Sequence, residues 1–358
     1  MLKIHFLNLV IFAGLISLSN AQSFDARWVE VPNSTFTPKQ VPAVVYDAQA
    51  DRIVMFSGGY FINEAVFLSN ELLSFSSING WSAIIPYYSL PANCLWDVNC
   101  CYDEANSRII FAGGTFPNSD DTWALTANQF SHLCDSEIVK GNSGRGLFFN
   151  SQINRVCLVG WDGQIYKLEG TLWQSMSVNL PNWYDRHVFG YSYNPVSKKL
   201  VIFGGSAVDP EGKDIMYSDT FVWNAQTMIW KEIVKPIHPG ERSHPAMTFS
   251  STRQKHIMFG GGTFSDNGGV RTWQMNSDVW EYDDTSEQWT ELRIENPHGQ
   301  DMHRLIYDKN HDKVYAIGGS DDAHGWAPST RIFDLQFIPQ SAAKAWEMYN
   351  EKKGSLVQ

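Results

Sequence analysis

At 358 residues the chain is long enough for two or three domains of ordinary size, although closed all-β folds of this length are often one unit. Its 14% aromatic residues, 27 glycines and 15 prolines point to many short strands joined by many turns. With 27 Lys and Arg against 38 Asp and Glu, a net charge of -11 argues against nucleic acid or an anionic membrane as partner, because both select basic surfaces.

The first element in the chain reads as an export signal. Lys3 gives a positive start, Phe6 to Leu18 an apolar run, and Ser19-Asn20-Ala21 the small residues that a signal peptidase inspects. Residues 1–21 are expected to be a signal peptide cleaved after Ala21, leaving a secreted or periplasmic protein. The apolar run is short for a bilayer and no second one follows, so no membrane span is expected. Export permits disulfides. The five cysteines, Cys94, Cys100, Cys101, Cys134 and Cys157, lie in one stretch, and an odd count leaves at least one unpaired or intermolecular. Their spacing fits no zinc pattern, since Cys100 and Cys101 adjoin in an expected strand and face opposite ways. One structural disulfide among buried free thiols is the expectation.

From Tyr46 onward one block recurs six times. An aromatic is followed by Asp, Asn or Ser. A Lys or Arg stands six positions after the aromatic, then come four or five mostly apolar residues and a glycine. The aromatics are Tyr46, Tyr102, Phe149, Tyr193, Phe249 and Tyr307, and the bases Arg52, Arg108, Arg155, Lys199, Lys255 and Lys313. Each block reads as a hairpin whose second strand, such as Leu200 to Phe203, is apolar throughout and therefore buried on both faces. In the first block Ser57 precedes Gly58-Gly59 as an extra residue, which suggests a bulge.

Most hairpins are followed by two more strands. Asp219 to Trp223 and Asp278 to Tyr282 are clear third strands, and Trp81, Phe130, Trp173, Trp230 and Trp289 each open a fourth. The repeat is 44 residues at its shortest, from Gly160 to Gly204, and 58 at its longest, from Gly260 to Gly318. Four antiparallel strands at that period make a propeller blade. The expectation is an all-β, six-bladed β-propeller of four-stranded antiparallel blades over residues 22–338, followed by a tail or short helix at 339–358. The last hairpin has a third strand, Arg331 to Leu335, but no fourth. Arg27 to Val31 at the other end is expected to supply it and close the ring.

The double glycine after a hydrophobic strand, the aromatic pair in the later strand and the spaced Trp resemble kelch-repeat proteins over nearly all of residues 25–338. Pro245 to Phe249 through Gly260-Gly261 resembles the kelch blades of exported bacterial proteins. The third blade departs, with Gly160-Trp161 in place of the double glycine. The resemblance implies two enzyme classes beside non-catalytic binding, because some exported six-bladed kelch proteins are sugar mutarotases and some larger ones copper radical oxidases. The oxidases need a Cys-crosslinked Tyr, a second Tyr and two His on the axis, and no such set is evident here.

Connections between strands two and three are long and unlike one another, at 60–69, 206–218, 262–277 and 320–330, and share a face with the segments leading into each first strand. Variable loops on a rigid scaffold are where function usually sits. Seven positions before the aromatic stand Lys39, Arg186 and Arg242 in blades one, four and five, with Leu95, Asn142 and Gln300 in the others. With His187, His244, His303, Arg145 and Arg304 nearby, they suggest a partial basic ring at the channel mouth, where arginine forks receive a carboxylate or other anion. Equally, such side chains bond neighbouring backbone and acids structurally. Asp321 to Trp326 mixes acid, imidazole and aromatic, as sugar or peptide binding requires. The acidic pairs Asp120-Asp121, Asp283-Asp284 and Asp321-Asp322 lack calcium-loop spacing and read as turn residues.

The candidate ligand-binding residues are therefore Lys39, Arg186, His187, Arg242, His244, Asp301, His303 and Trp326. No metal or cofactor is expected, since no nucleophile, metal or phosphate-loop motif is present. The expected function is a monomeric binding module whose variable-loop face takes a protein, a glycan or a small anion. The alternative is a carbohydrate-active enzyme such as a sugar mutarotase or epimerase. Its acid–base pair would come from Asp97, His187, Arg242, His244, Asp301 and His303.

Overall fold

Alternating strands and polar turns leave each sheet with two apolar faces, and such sheets stack. The computed structural model describes residues 24–339, apart from 33–34, 63–64, 85–95, 116–117, 142–143, 161, 181–182, 184–185, 268–269 and 323–327. The expected signal peptide and C-terminal tail, Cys94 and Trp326 lie outside the described residues. Six antiparallel sheets form a six-bladed β-propeller, with no α-helix among the described residues. Blade one is Ala43–Asp47, Arg52–Phe56, Leu72–Ser76 and Gly80–Ala83. Blade two is Asn99–Asp103, Arg108–Ala112, Asp121–Thr126 and Gln129–Asp135. Blades three, four and five repeat this order from Leu147–Asn150, Gly190–Asn194 and Ala246–Ser250.

The core is divided rather than central. Six apolar clusters occupy the six seams between neighbouring blades. Second strands contribute to both seams beside them, which explains their unbroken apolar sequence. Val54 and Phe56 face blade two, whereas Ile53 and Met55 face blade six.

Blade six consists of Arg304–Asp308, Lys313–Ile317 and Ile332–Phe337, completed by Ala26–Glu30 from the other end of the chain. This N-terminal strand runs antiparallel to Ile332–Phe337, with Trp28 opposite Leu335, as the closure argument expects. Trp28 is buried and packs on Phe259 of blade five with ring centroids 4.5 Å apart. The short pair Ile294–Glu295 adds a parallel strand outside it.

Two expectations are corrected. Ser57 is no bulge, because Ala43–Asp47 and Arg52–Phe56 pair without a slip. It occupies the place of the first glycine of the other blades, with φ 60° against 63° at Gly204 and 66° at Gly260. The structural disulfide is also not found: Cys100, Cys101, Cys134 and Cys157 are all free thiols. Burial pushes the Cys100 thiol up to about 12, although Arg304 pulls the other way. Such thiols stay protonated and are poor nucleophiles.

Three of the long connections form hairpins that project from one face: Gly59–Ile62 with Ala65–Leu68, Ser206–Val208 with Asp214–Met216, and Gly262–Asn267 with Val270–Met275. Arg271 of the blade-five hairpin pairs with Asp214 of the blade-four hairpin at 3.3 Å, so these two stand together.

Candidate functional site at the axial channel

The first strands of all blades line the axis. Five positions before each hairpin aromatic the chain turns through positive φ in every blade: Val41 (44°), Asp97 (51°), Gly144 (57°), Val188 (48°), His244 (54°) and Met302 (56°). A β-branched residue rarely adopts this conformation. Because all six blades share it, the strain belongs to the architecture. Neighbouring turns are linked, with Val41 N donating to Met302 O (2.9 Å) and His244 N to Val188 O (2.8 Å).

A channel cavity of about 400 Å³ begins at these turns, where Asp97, Gly144, Val188 and His244 line it, and runs along the first strands. Its walls include the aromatic side chains Tyr46, Tyr102, Phe149, Tyr191 and Tyr193. Arg304 donates to Asp97 Oδ1 at 2.5 Å. This pair spans from blade six to blade two, past the first strand of blade one.

The basic residues expected to ring the mouth are spent elsewhere. Arg242 is buried and forks onto Asp278 at 2.7 and 2.8 Å, with a further bond to Gly260 O. Arg186 likewise holds Asp219 and Gly204 O, and its guanidinium lies 3.8 Å from the Tyr217 ring centre. Lys39 is buried and binds Glu71 at 2.9 Å, together with Ser69. Burial pulls the Lys39 ammonium down, against the opposing pull of Glu71. Arg145 and Gln300 bond Gly160 O and Gly318 O in the same manner, at 3.2 and 2.6 Å. Arg145, Arg186, Arg242 and Gln300 each satisfy a carbonyl of their own blade's glycine turn, and an acid just before strand three neutralises Lys39, Arg186 and Arg242. Lys39, Arg186 and Arg242 are thus each closed onto an acid of their own blade.

Other expected residues do converge. His244 Nδ1 lies 3.0 Å from Ser243 Oγ and 3.8 Å from Asp301 Oδ1. Asp301 is fully buried and accepts from Met302 N (2.8 Å) and Trp273 Nε1 (3.1 Å). Burial holds its carboxyl above the usual range despite His244 and these donors. His303 lines the cavity beside Arg304, and among the described residues neither of its ring nitrogens has a hydrogen-bond partner. Burial, with His298, Arg304 and His244 adding positive charge, keeps it well below the ordinary histidine range and so neutral. His187 sits on blade four, bridged through its backbone to Ser206 at 2.9 and 3.0 Å. The structure therefore gathers His244, Asp301 and His303 near Asp97 and Arg304, which the sequence also offered, and adds Trp273. Lys39, Arg186 and Arg242 stay within their blades. Trp273 was missed because it lies mid-hairpin in a long connection, though a Trp in the longest such loop of blades four and five was a usable signal.

No protein-family model matches this sequence, and no curated protein is significantly similar to it. Among solved structures, the one named "Structure of YjhT" is similar at TM-score 0.62 and 12% identity, covering 85% of this chain and 98% of that one. A fungal alcohol oxidase of the AA5 family, solved with copper, is similar at TM-score 0.54 and 12% identity, covering 83% of this chain and 62% of the oxidase. At such identity these likenesses establish the β-propeller fold that the chain shares with them.

Proposed function

We propose that the protein is an exported, kelch-type binding module that holds a neutral, hydroxyl-rich ligand such as a sugar at the channel mouth. The observation that carries this is the cavity of about 400 Å³ with aromatic side chains in its walls and an internally neutralised Arg304–Asp97 pair beside His244 and the neutral His303. Small-ligand sites are concave, mostly apolar and furnished with a few directed polar groups. An anion would meet Arg304 only by competing with Asp97, within a protein of net charge -11. A sugar instead presents donors and acceptors to both partners and a C–H face to the rings.

The test is calorimetric titration with glucose, galactose and mannose, using glucuronate as the anionic control. Binding of a neutral sugar, weakened at least tenfold in Arg304→Ala, is expected. Glucuronate alone binding, and losing affinity in Arg186→Ala with Arg242→Ala at unchanged stability, would return the mouth to the anion reading.

Asp301 supports a second, catalytic reading. A carboxyl whose pKa burial raises, 3.8 Å from an imidazole, is an acid–base pair of the kind that opens and recloses a sugar ring. Anomer exchange followed by NMR, faster with the protein and slowed by His244→Gln, is its expected mark.

A further inference from the structure

The closed pairs of the blades have one exception. Blades one, four and five hold a base before strand one and an acid at the entry to strand three: Lys39 with Glu71, Arg186 with Asp219, and Arg242 with Asp278. In blades three and six neither the base nor the acid is present. The matching residues there are Asn142 and Gln164, and Gln300 and Arg331. Blade two keeps the acid alone. Asp121 precedes Thr122, which pairs with Ala112 as Thr220 pairs with Phe203, but Leu95 stands in the sequence where the base would be. Among the described residues no Lys or Arg pairs with Asp121.

A second acid and an imidazole meet it instead. Asp121 stands directly opposite Asp135 of the fourth strand, and like charges so placed are unfavourable. The register then slips between Thr122 and Trp123. Leu133 is the extra residue of this bulge, so that His132 stands opposite Trp123 and shares the face of the two acids. Its Nε2 lies 2.7 Å from Asp135 Oδ1 and 3.4 Å from Asp121 Oδ1. The Trp123 ring meets the imidazole edge-on at 5.0 Å, and Ser119 Oγ donates to Asp121 Oδ2 at 3.2 Å, which leaves Oδ1 to the cluster. His132 and Asp135 are 39% and 63% exposed, so the cluster opens to solvent.

We propose that this cluster, on the rim of blade two, is a binding site for one divalent cation of the zinc class. An imidazole nitrogen carries at most one proton and answers one carboxylate at a time, whereas a cation among the three ligand atoms answers both. Those atoms lie within 4.8 Å of one another. Ligands about 2.0–2.1 Å from a tetrahedral zinc ion stand roughly 3.3 Å apart, so small side-chain rotations complete the shell. One imidazole with two carboxylates suits zinc better than calcium, which gathers about six to eight oxygens, and leaves a fourth position to water. No motif marks the site in the sequence, because strand register and a bulge assemble it. It lies on the face of the projecting hairpins, where strand three begins and strand four ends, and it does not depend on the channel.

The test uses the untagged full chain, stripped of metal with a chelator. Calorimetric titration with Zn2+ should show one ion bound per chain, with a matching rise in melting temperature, and Ca2+ should give neither. His132→Ala and Asp135→Asn, at exposed positions, should each weaken zinc binding by at least about tenfold, no less than losing a residue that merely orients a ligand. Co2+ in place of zinc should show no thiolate charge-transfer band, which separates this site from the free cysteines. Without metal, Asp135→Asn should melt no lower than the parent, since it removes the like charge opposite Asp121. Zinc held as tightly by folded His132→Ala, or a thiolate band with Co2+, would overturn the site. So would a parent that takes up no zinc while Asp135→Asn loses stability, the mark of a plain ion pair.

Discussion

Two buried histidines and one half-buried one set how this protein responds to acid. His256, His298 and His303 are each held below the ordinary histidine range, first of all by burial. A histidine whose folded pKa lies below its unfolded value of about 6.5 resists protonation in the fold. The stability it contributes is therefore complete above about pH 6.5 and falls as the pH drops below that. Each can withdraw up to about 1.4 kcal/mol per pH unit. Asp284 does not share in this range. Burial pushes its carboxyl up, but His256, Ser197 and Asn194 outweigh that and hold it at about 2, so its contribution is lost only as the pH falls from about 4 toward 2. Denaturant melts at pH 7, 6 and 5 should show steadily falling stability. His298→Phe, which keeps a ring against Trp28, Phe259 and Phe333, should flatten that slope. An identical slope in the variant would show that His298 does not titrate with unfolding. The closed pairs give a second residue-scale prediction. Arg242→Ala takes the guanidinium from Gly260 O and from Asp278, which keeps only the Trp280 Nε1 side-chain donor, and should cost about 3 kcal/mol, given that Asp278 is 24% exposed. Sugar binding by the folded fraction should be unchanged.

Among the elements, the strands were the legible part of the sequence. Hairpin aromatics, turn bases and glycines lie within a dozen residues of one another, so local chemistry fixes their register. The closing strand was legible as well, because Ile332–Phe337 lacked a partner that Ala26–Glu30 could supply. The fate of the basic ring was not, since each pair joins a segment before strand one to the start of strand three. Yet its separations are nearly constant, at 32 residues for Lys39 and Glu71, 33 for Arg186 and Asp219, and 36 for Arg242 and Asp278. That regularity was the signal for structural pairing. The gathering of Asp97 and Arg304 could not be read, because it depends on ring geometry 207 residues apart. The glycine turns give the element-scale prediction. Gly260 has φ 66°, and a Cβ there would stand 2.3 Å from Gln300 O. Gly260→Ala should destabilise by several kcal/mol, measured by thermal melting. Ser57, which already bears a side chain at the matching place in blade one, should accept glycine with little change.

At the scale of the whole molecule, blades two and six are tied across the axis twice. Arg304–Asp97 bridges them at one end of the channel, at 2.5 Å, and Lys309–Glu104 at the other, at 3.3 Å. The first is largely buried and the second is exposed, so only the first should matter for stability. Lys309→Ala should leave the melting temperature within about a degree, and Arg304→Ala should lower it by several. The ring also has a sequence in time. Arg27 touches Gln336, 309 positions later, so the earliest-made strand of the ring is completed only by the ring's last one. Until then a nascent chain carries five finished blades and two open edges, the condition under which strands pair with the wrong neighbour. Moving residues 24–31 behind residue 338 through a short linker would make the last blade local. The permutant should refold faster and aggregate less during refolding, at nearly the same final stability.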